Sequence, residues 1–169
     1  MSTEGEALAA KFGHGKLQRE FFDFICGKMI GSGVARTVFE YLPSNNKEYV
    51  VKIEDSAGSF QNVIEWEMWD YFKDSDLGKR WLAPCWSISP CGTVMMQSRT
   101  QPLPKGYRLP KKMPVFLGDL KSSNYGLLKG RLVAHDYGTG FVKITGMHNM
   151  RRMCRANWWA GVEKGRVAS

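Results

Sequence analysis

The sequence lacks the features that mark membrane and secreted proteins. No run of apolar residues approaches the roughly eighteen that a membrane-spanning helix needs. Residues 1–6 are acidic and do not follow the basic-then-apolar order of a signal peptide. No internal repeat or low-complexity tract interrupts the chain. We therefore expect one globular domain over residues 1–169, located in the cytoplasm and without a membrane partner.

Cysteine is scarce and lacks the spacing of a zinc site or a redox pair. The four cysteines include no Cys-x-x-Cys motif and form no ligand pattern with the three histidines. Free thiols are the simplest interpretation, because buried cysteine packs as a small apolar residue. A disulfide between Cys85 and Cys91 stays open as an alternative, although such bonds are unusual inside cells.

Acidic residues are in the minority. The chain has 24 Lys and Arg against 16 Asp and Glu, a formal net charge of +8, and the basic residues cluster at 105–112 and 151–155. This balance favours anionic partners such as nucleotides, nucleic acid or acidic protein surfaces. A solvated basic face is the commoner cause of such a balance, so charge alone does not select a partner.

Apolar spacing predicts a small antiparallel sheet with a helix in the first hundred residues. Helical periodicity marks residues 16–25, after a loose arm that ends near residue 11, and again residues 61–72. Alternating segments predict five strands, at 28–30, 36–41, 48–53, 81–89 and 93–98. The predicted fold class is α+β.

The second half of the chain is predicted to be less regular. Residues 99–114 contain four prolines and five basic residues, so we expect an extended connector there and not a helix. The elements predicted after it are a strand at 115–117, a loop at 119–124, a hairpin at 125–135 turned at Lys129-Gly130, and a helix at 147–159.

Three short segments carry charged residues in the order that ATP phosphoryl chemistry needs. Lys52 lies in the apolar run Tyr-Val-Val-Lys-Ile, residues 119–124 read Asp-Leu-Lys-Ser-Ser-Asn, and residues 136–138 read Asp-Tyr-Gly. A cation, a carboxylate followed by an amide, and a second carboxylate can hold a nucleotide triphosphate and its metal ions. Upstream, residues 30–33 read Ile-Gly-Ser-Gly, where a phosphate-covering loop belongs.

This ordered set resembles the motifs of the protein-kinase-like superfamily over roughly residues 28–140. The segment that resembles its glycine-rich loop and strand valine comprises Gly31, Ser32, Gly33 and Val38. The resemblance implies a kinase-like fold with a five-stranded N-lobe, one helix and a minimal C-lobe. It also implies an ATP- and Mg²⁺-dependent phosphotransferase that acts on Ser or Thr hydroxyls of a protein, including itself as a possible acceptor.

The resemblance further implies roles for individual catalytic residues. Lys52 would neutralise ATP phosphates, Asp119 would orient the attacking hydroxyl, and Lys121 would steady the transferred phosphate. The carboxylate that pairs with Lys52 is either Glu65 or Glu67, which lie about 200° apart on a helix. Glu65 is preferred, because it lies beside the apolar stripe of the predicted helix.

The remaining implied roles concern Mg²⁺ and adenine. Asn124 and Asp136 would ligate Mg²⁺. The backbone of the segment that contains Met96, Gln97 and Ser98 would pair with adenine, and Met96 would shape the inner pocket.

The chain also departs from the family pattern. Arg36 stands where a third glycine is usual and could itself contact phosphate. Leu117 and Gly118 replace the usual His-Arg, and no Ala-Pro-Glu segment follows Gly138. We therefore expect an N-lobe at about 16–98, a connector at 99–114 and a reduced C-lobe at 115–169. Such compactness would suit a bacterial virus genome, and the protein would then act in the host cytoplasm.

Three alternatives stay open beside the protein kinase. The missing helical platform favours a non-catalytic module that binds and regulates a partner protein, and Gly118 before Asp119 favours a small-molecule kinase. Nucleic-acid binding by the basic surface, with Trp158 and Trp159 stacking on bases, would show a steep salt dependence. A His135–Asp136 nucleophilic triad is disfavoured, because strand neighbours point to opposite faces.

Overall fold

A five-stranded antiparallel sheet dominates the computed structural model, which describes residues 14–43, 47–54, 59–138 and 152–159. The spatial order is β1-β2-β3-β5-β4. The strands are β1 (Cys26–Ser32), β2 (Arg36–Tyr41), β3 (Tyr49–Glu54), β4 (Cys85–Ile88) and β5 (Val94–Ser98). The predicted α+β class with five antiparallel strands is confirmed.

Two of the three described helices flank this sheet where the apolar periodicity places them. They are α1 (His14–Ile25) and α2 (Gln61–Phe72). The start of α2 is fixed by Glu54, whose carboxylate accepts hydrogen bonds from the backbone N–H groups of Gln61 at 3.2 Å and Asn62 at 3.0 Å. A carboxylate at this end satisfies free N–H groups and opposes the positive end of the helix dipole.

A third helix, α3 (Asp76–Trp81), was not predicted and takes the first residue of the strand expected at 81–89. Ser75 caps it by accepting a hydrogen bond from the N–H of Gly78 at 3.1 Å. Six residues are too few to show helical periodicity in a sequence. Gly78 is required by space, because an added Cβ would lie 2.1 Å from the carbonyl oxygen of Phe72.

The rest of the described chain forms short elements around one loop. These are β6 (Lys112–Pro114), a 3-10 turn (Ser122–Asn124), β7 (Tyr125–Leu128), β8 (Arg131–Ala134) and β9 (Met153–Arg155). The predicted hairpin is confirmed as β7–β8. Its turn residues Lys129 and Gly130 have φ values of 50° and 76°, as a two-residue turn of this hand requires.

Two predictions in this half were wrong. The strand expected at 115–117 lies earlier, at β6, and Leu117 closes a turn by donating from its backbone N–H to the carbonyl of Pro114 at 3.0 Å. The helix expected at 147–159 is extended over its described part, where β9 pairs antiparallel with β6. Long-range strand pairing has overridden the local helical spacing. The first residues of that predicted helix, 147–151, lie outside the described residues, as do the arm up to residue 11 and residues 44–46.

The hydrophobic core joins the sheet to the later elements. Phe72 at the end of α2 stacks on Phe116, with ring centroids 4.6 Å apart. The other buried members of this core include Met68, Trp81, Leu82, Met95, Met113, Leu117, Leu120, Tyr125, Leu132 and Tyr137. The loop at 119–124 is therefore packed against the helix side of the sheet. No helix within the described ranges is long and apolar enough to cross a membrane.

Candidate active site

Lys52 is a buried cation on the central strand of the sheet. It pairs with Val38 of β2 on one side and with Met95 of β5 on the other, and it is 3% exposed. Its Nζ lies 2.5 Å from Glu65 Oε1 and also donates to the carbonyl oxygen of His135. A buried ammonium is tolerated only with such partners, because an unpaired charge in a protein interior is costly.

Glu65 is the carboxylate that holds Lys52. It lies on α2 with no exposed surface, and its Oε1 also accepts a hydrogen bond from Gln97 Nε2 at 2.7 Å. Burial raises the pKa of Glu65, but the attraction of Lys52 and Arg36 outweighs burial, so the net pKa is lowered and the carboxylate is ionised. Glu67 is exposed on the same helix, as the angular separation of the two residues requires.

Arg36 lies beside Lys52 and Glu65, and the inward direction of its side chain was not predicted from the sequence. Its guanidinium is 6% exposed and points inward. Nη1 donates to Glu65 Oε2 at 2.8 Å and to Asn62 Oδ1 at 3.3 Å, while Nη2 donates to Asp136 Oδ1 at 2.5 Å. The guanidinium thus makes its contacts within the protein, and its contact with phosphate stays a prediction. A positive residue at a usual glycine position was the only indication in the sequence.

These side chains form one unit, which we call the buried polar cluster: Arg36, Lys52, Asn62, Glu65 and Gln97. Asn62 fastens α2 to the sheet, because its Nδ2 donates to the carbonyl oxygens of Lys52 at 3.3 Å and Thr93 at 3.0 Å. The Oε1 atom of Gln97 is buried and has no hydrogen-bond partner in the described part of the chain.

Three contacts fix the position of the Asp136-Tyr137-Gly138 segment beside this cluster. The backbone before Asp136 accepts a hydrogen bond from Lys52, and the buried hydroxyl of Tyr137 donates to the carbonyl of Ala83 at 2.8 Å. Gly138 lies so close to the start of α2 that an added Cβ would be 2.8 Å from the carbonyl oxygen of Gln61. The side chain of Asp136 stays 45% exposed, so its carboxylate borders on solvent.

The loop at 119–124 places a second carboxylate in the same small cleft. Asp119 and Asp136 both line that cleft, together with Gly118 and Tyr137. Asn124 Nδ2 donates to Asp119 Oδ2 at 2.9 Å, and the backbone carbonyl of Asn124 accepts from the N–H groups of His135 at 2.9 Å and Asp136 at 3.3 Å. Asn124 therefore joins the loop to the Asp136 segment.

His135 supports this geometry and does not serve Asp136. Its Nδ1 lies 2.7 Å from Thr100 Oγ1, and its Nε2 lies 3.0 Å from the carbonyl oxygen of Ser123. Burial and the nearby charge of Lys52 lower the pKa of His135 to about 4, so the imidazole is neutral near pH 7. Both ring nitrogens are occupied by structural contacts, which leaves the nucleophilic triad without a base.

The glycine segment forms the hairpin above Lys52. Gly31 pairs with Val38, Ser32 pairs with Thr37, and the N–H of Gly33 donates to the carbonyl of Arg36 at 2.8 Å. A Cβ built on Gly31 would meet nothing within 4 Å. The space beside Gly31 is therefore open for a ligand.

In the predicted adenine segment, the side chain of Met96 lies on a different face of the sheet from the one expected. Met96 pairs with Val51, so it lies on the sheet face opposite to Lys52. The inner face carries Met95 and Gln97 instead, and neither has exposed surface. The assignment of the inner pocket to Met96 is corrected on this ground. Ser98 accepts a hydrogen bond from Trp86 Nε1 at 2.8 Å through its hydroxyl.

Lys121 is engaged with the last described segment. Its Nζ lies 5.6 Å from the centroid of the Trp159 ring, in a cation–π arrangement. The backbone N–H of Ser122 donates to the carbonyl of Trp159 at 3.0 Å, and that of Trp159 donates to the carbonyl of Leu120 at 3.2 Å. The segment 152–159 thus contacts the 119–124 loop through Trp159.

The residues around Asp136 suit a hard divalent cation such as Mg²⁺. The described residues contain no group of three or more His, Cys, Asp or Glu that could hold a metal by itself. Mg²⁺, however, is commonly held by one or two protein oxygen ligands together with substrate phosphates. The Asp136 carboxylate and the Asn124 amide oxygen are ligands of that type.

Comparisons with known proteins find similarity among solved structures only. No protein-family model matches the chain, and no curated protein sequence matches it. Among solved structures the chain is similar to the streptomycin-ATP-APH(2")-IIa ternary complex, with a TM-score of 0.37 and 14% sequence identity. The similarity covers 52% of this chain and 29% of that one, so this chain spans less than a third of the neighbour's length.

Proposed function

We propose that this chain is a protein-kinase-like phosphotransferase that binds ATP and transfers its terminal phosphoryl group to a hydroxyl. The observation that carries the proposal is the convergence of three charged residues. Lys52 donates to the carbonyl next to Asp136, and Asp136 shares a cleft with Asp119. Phosphoryl transfer depends mostly on positioning and charge neutralisation, which such an arrangement supplies.

Each residue then has a defined task. Lys52, held by Glu65, offsets the negative charge of the ATP phosphates. The phosphates would occupy the open space beside Gly31. Asp119 orients the acceptor hydroxyl and accepts its proton as the oxygen attacks the terminal phosphorus. Mg²⁺, held by Asn124 and Asp136, would offset the charge that the phosphate oxygens carry. Asn124 also keeps the carboxylate of Asp119 in place through its amide.

The basic surface at the β6–β9 ladder favours an acceptor with acidic groups, such as a Ser or Thr in an acidic protein segment. Lys112 and Arg155 are exposed and lie directly opposite each other in the β6–β9 ladder. Lys111 and Arg152 are also exposed, and no ion pair within the described residues neutralises any of these four. Like charges opposite each other destabilise a strand pair, so an anionic partner would relieve this repulsion.

A second candidate function rests on Arg36. Its ion pair with Asp136 occupies the carboxylate that a metal would use, which favours a non-catalytic module that regulates a partner protein. A small-molecule kinase is the third candidate, since Gly118 before Asp119 leaves room in the cleft. The retained set of Lys52, Asp119 and Asp136 favours catalysis over the module.

Phosphate transfer from labelled ATP tests the proposal. We expect the purified chain with Mg²⁺ to label itself or casein, an acidic acceptor, in preference to histone, a basic one. Asp119→Asn should lower the rate by about a thousandfold, because a positioned base contributes on that order. Asp74→Asn, which changes an exposed carboxylate between α2 and α3, is the matched control and should leave the rate unchanged. Nucleotide binding without labelling of any acceptor would favour the binding module.

A further inference from the structure

Arg36 has its backbone in the glycine hairpin and its charge inside the site. It is the first residue of β2, and its carbonyl closes the turn by accepting from the N–H of Gly33 at 2.8 Å. The side chain leaves this turn inward and is 6% exposed. One guanidinium therefore connects the hairpin to the interior, where a glycine would leave open space.

The two arms of this guanidinium bridge two carboxylates from different parts of the chain. Nη1 lies 2.8 Å from Glu65 Oε2 on α2, and Nη2 lies 2.5 Å from Asp136 Oδ1. The planar fork of arginine can reach two acceptors at once, and hydrogen bonds between ionised groups are stronger than neutral ones.

The four side chains that form ion pairs at the site balance in charge without a divalent ion. Two carboxylates, Glu65 and Asp136, face two cations, Lys52 and Arg36. A divalent cation at Asp136 must either displace the guanidinium from Oδ1 or bind beside a positive charge. Both routes weaken binding of free metal. The first breaks the Arg36–Asp136 ion pair, and the second brings like charges close together, which repel even at an effective protein dielectric.

We propose that Arg36 is a resident cation at Asp136 that competes with the divalent metal and releases the carboxylate only when the phosphates of a nucleotide draw the guanidinium away. The inference rests on the proposed function, because it takes Asp136 as the metal-binding carboxylate. A triphosphate offers the guanidinium acceptor oxygens that match its fork geometry. Metal binding then follows nucleotide binding, and without nucleotide the four paired side chains stay balanced in charge.

Binding of Mn²⁺ to the nucleotide-free protein tests this competition directly. Free Mn²⁺ would be measured by electron paramagnetic resonance during titration of the full chain. We expect Arg36→Gln to bind one Mn²⁺ about tenfold more tightly than wild type, since one opposing charge is removed. The double variant Arg36→Gln with Asp136→Asn should lose this gain. Equal affinity of wild type and Arg36→Gln, or a gain that persists in the double variant, overturns the proposal.

A matched control and a conservative variant complete the experiment. Arg99→Gln removes the same charge and also breaks an arginine–carboxylate pair, with Glu40 at 2.9 Å, and should leave Mn²⁺ affinity unchanged. Should Arg36→Gln fail to fold, Arg36→Lys keeps the charge but cannot bridge both carboxylates, so an intermediate gain is expected and no gain contradicts the proposal. Mn²⁺ results as expected without any ATP binding would sink the proposed function and the release of Asp136 by nucleotide, and would leave only the competition between Arg36 and the metal. ATP binding with unchanged Mn²⁺ affinity would sink this inference alone.

Discussion

The buried polar cluster and the 119–124 loop are built in opposite ways. The cluster is closed to solvent and is joined by side-chain bonds between β2, β3, α2 and β5. The loop is held mainly by backbone hydrogen bonds, and Asp119 is only partly buried. The side chains to which we assign phosphate binding therefore also stabilise the cluster, whereas the loop can lose its proposed reactive group and stay folded.

Removal of Glu65 should give the largest loss of stability. Glu65→Ala leaves Lys52 and Arg36 buried near each other without their shared carboxylate. We expect the free energy of unfolding to fall by about 3–5 kcal/mol, the range for breaking a buried ion pair. Urea unfolding measures this change.

The control for that loss lies on the same helix. Glu67→Ala removes an exposed carboxylate and should change the free energy of unfolding by less than about 0.5 kcal/mol. Similar losses for the two variants would show that the ion pairs of Glu65 do not contribute to the free energy of unfolding.

Protonation of His135 at low pH should weaken the contact between the buried polar cluster and the 119–124 loop. Its folded pKa of about 4 lies below the ordinary value near 6.5, so the folded state favours the neutral ring. Its stabilising contribution is complete above about pH 6.5 and is lost as the pH falls toward 4, amounting to at most about 3 kcal/mol. Urea unfolding at pH 7 and pH 4 measures it.

A variant without the imidazole sharpens this pH test. His135→Asn removes the titrating ring, so the difference in unfolding free energy between pH 7 and pH 4 should shrink. An unchanged difference would place the acid sensitivity in another group. Glu65 is a poor candidate for that group, because its lowered pKa preserves most of its stabilising contribution until the pH falls below the ordinary range near 4.

A small effect on folding is expected at the glycine hairpin. Gly31→Ala adds a methyl group where nothing lies within 4 Å, so stability should change by less than about 1 kcal/mol. ATP affinity measured by calorimetry should nevertheless fall, by about tenfold if the methyl group forces the phosphates outward. Wild-type affinity in this variant would show that phosphate does not approach Gly31.

Local patterns predicted most of the sheet region. The predicted helix at 61–72 coincides with α2, and the strands near Lys52 follow from alternation of apolar residues. The preference for Glu65 over Glu67 came from its position beside the apolar stripe of the predicted helix. These features are local, so a sequence displays them directly.

What the sequence could not predict depends on contacts between distant segments. The inward direction of Arg36 is set by carboxylates 29 and 100 residues away. The extended form of residues 152–155 is set by pairing with β6, and Gln97 faces Lys52 because of its strand register. The geometry of such contacts cannot be predicted from any short segment of the sequence.

The central claim is that Lys52, Asp119, Asn124 and Asp136 form one ATP site. Its most direct test is the thermal unfolding of wild type, Lys52→Met and the exposed control Lys79→Met, each titrated with ATP and Mg²⁺. We predict that ATP at a hundredfold its dissociation constant stabilises wild type and Lys79→Met by about 2.7 kcal/mol, with little effect on Lys52→Met. No stabilisation of wild type, or equal stabilisation of all three proteins, would contradict the claim.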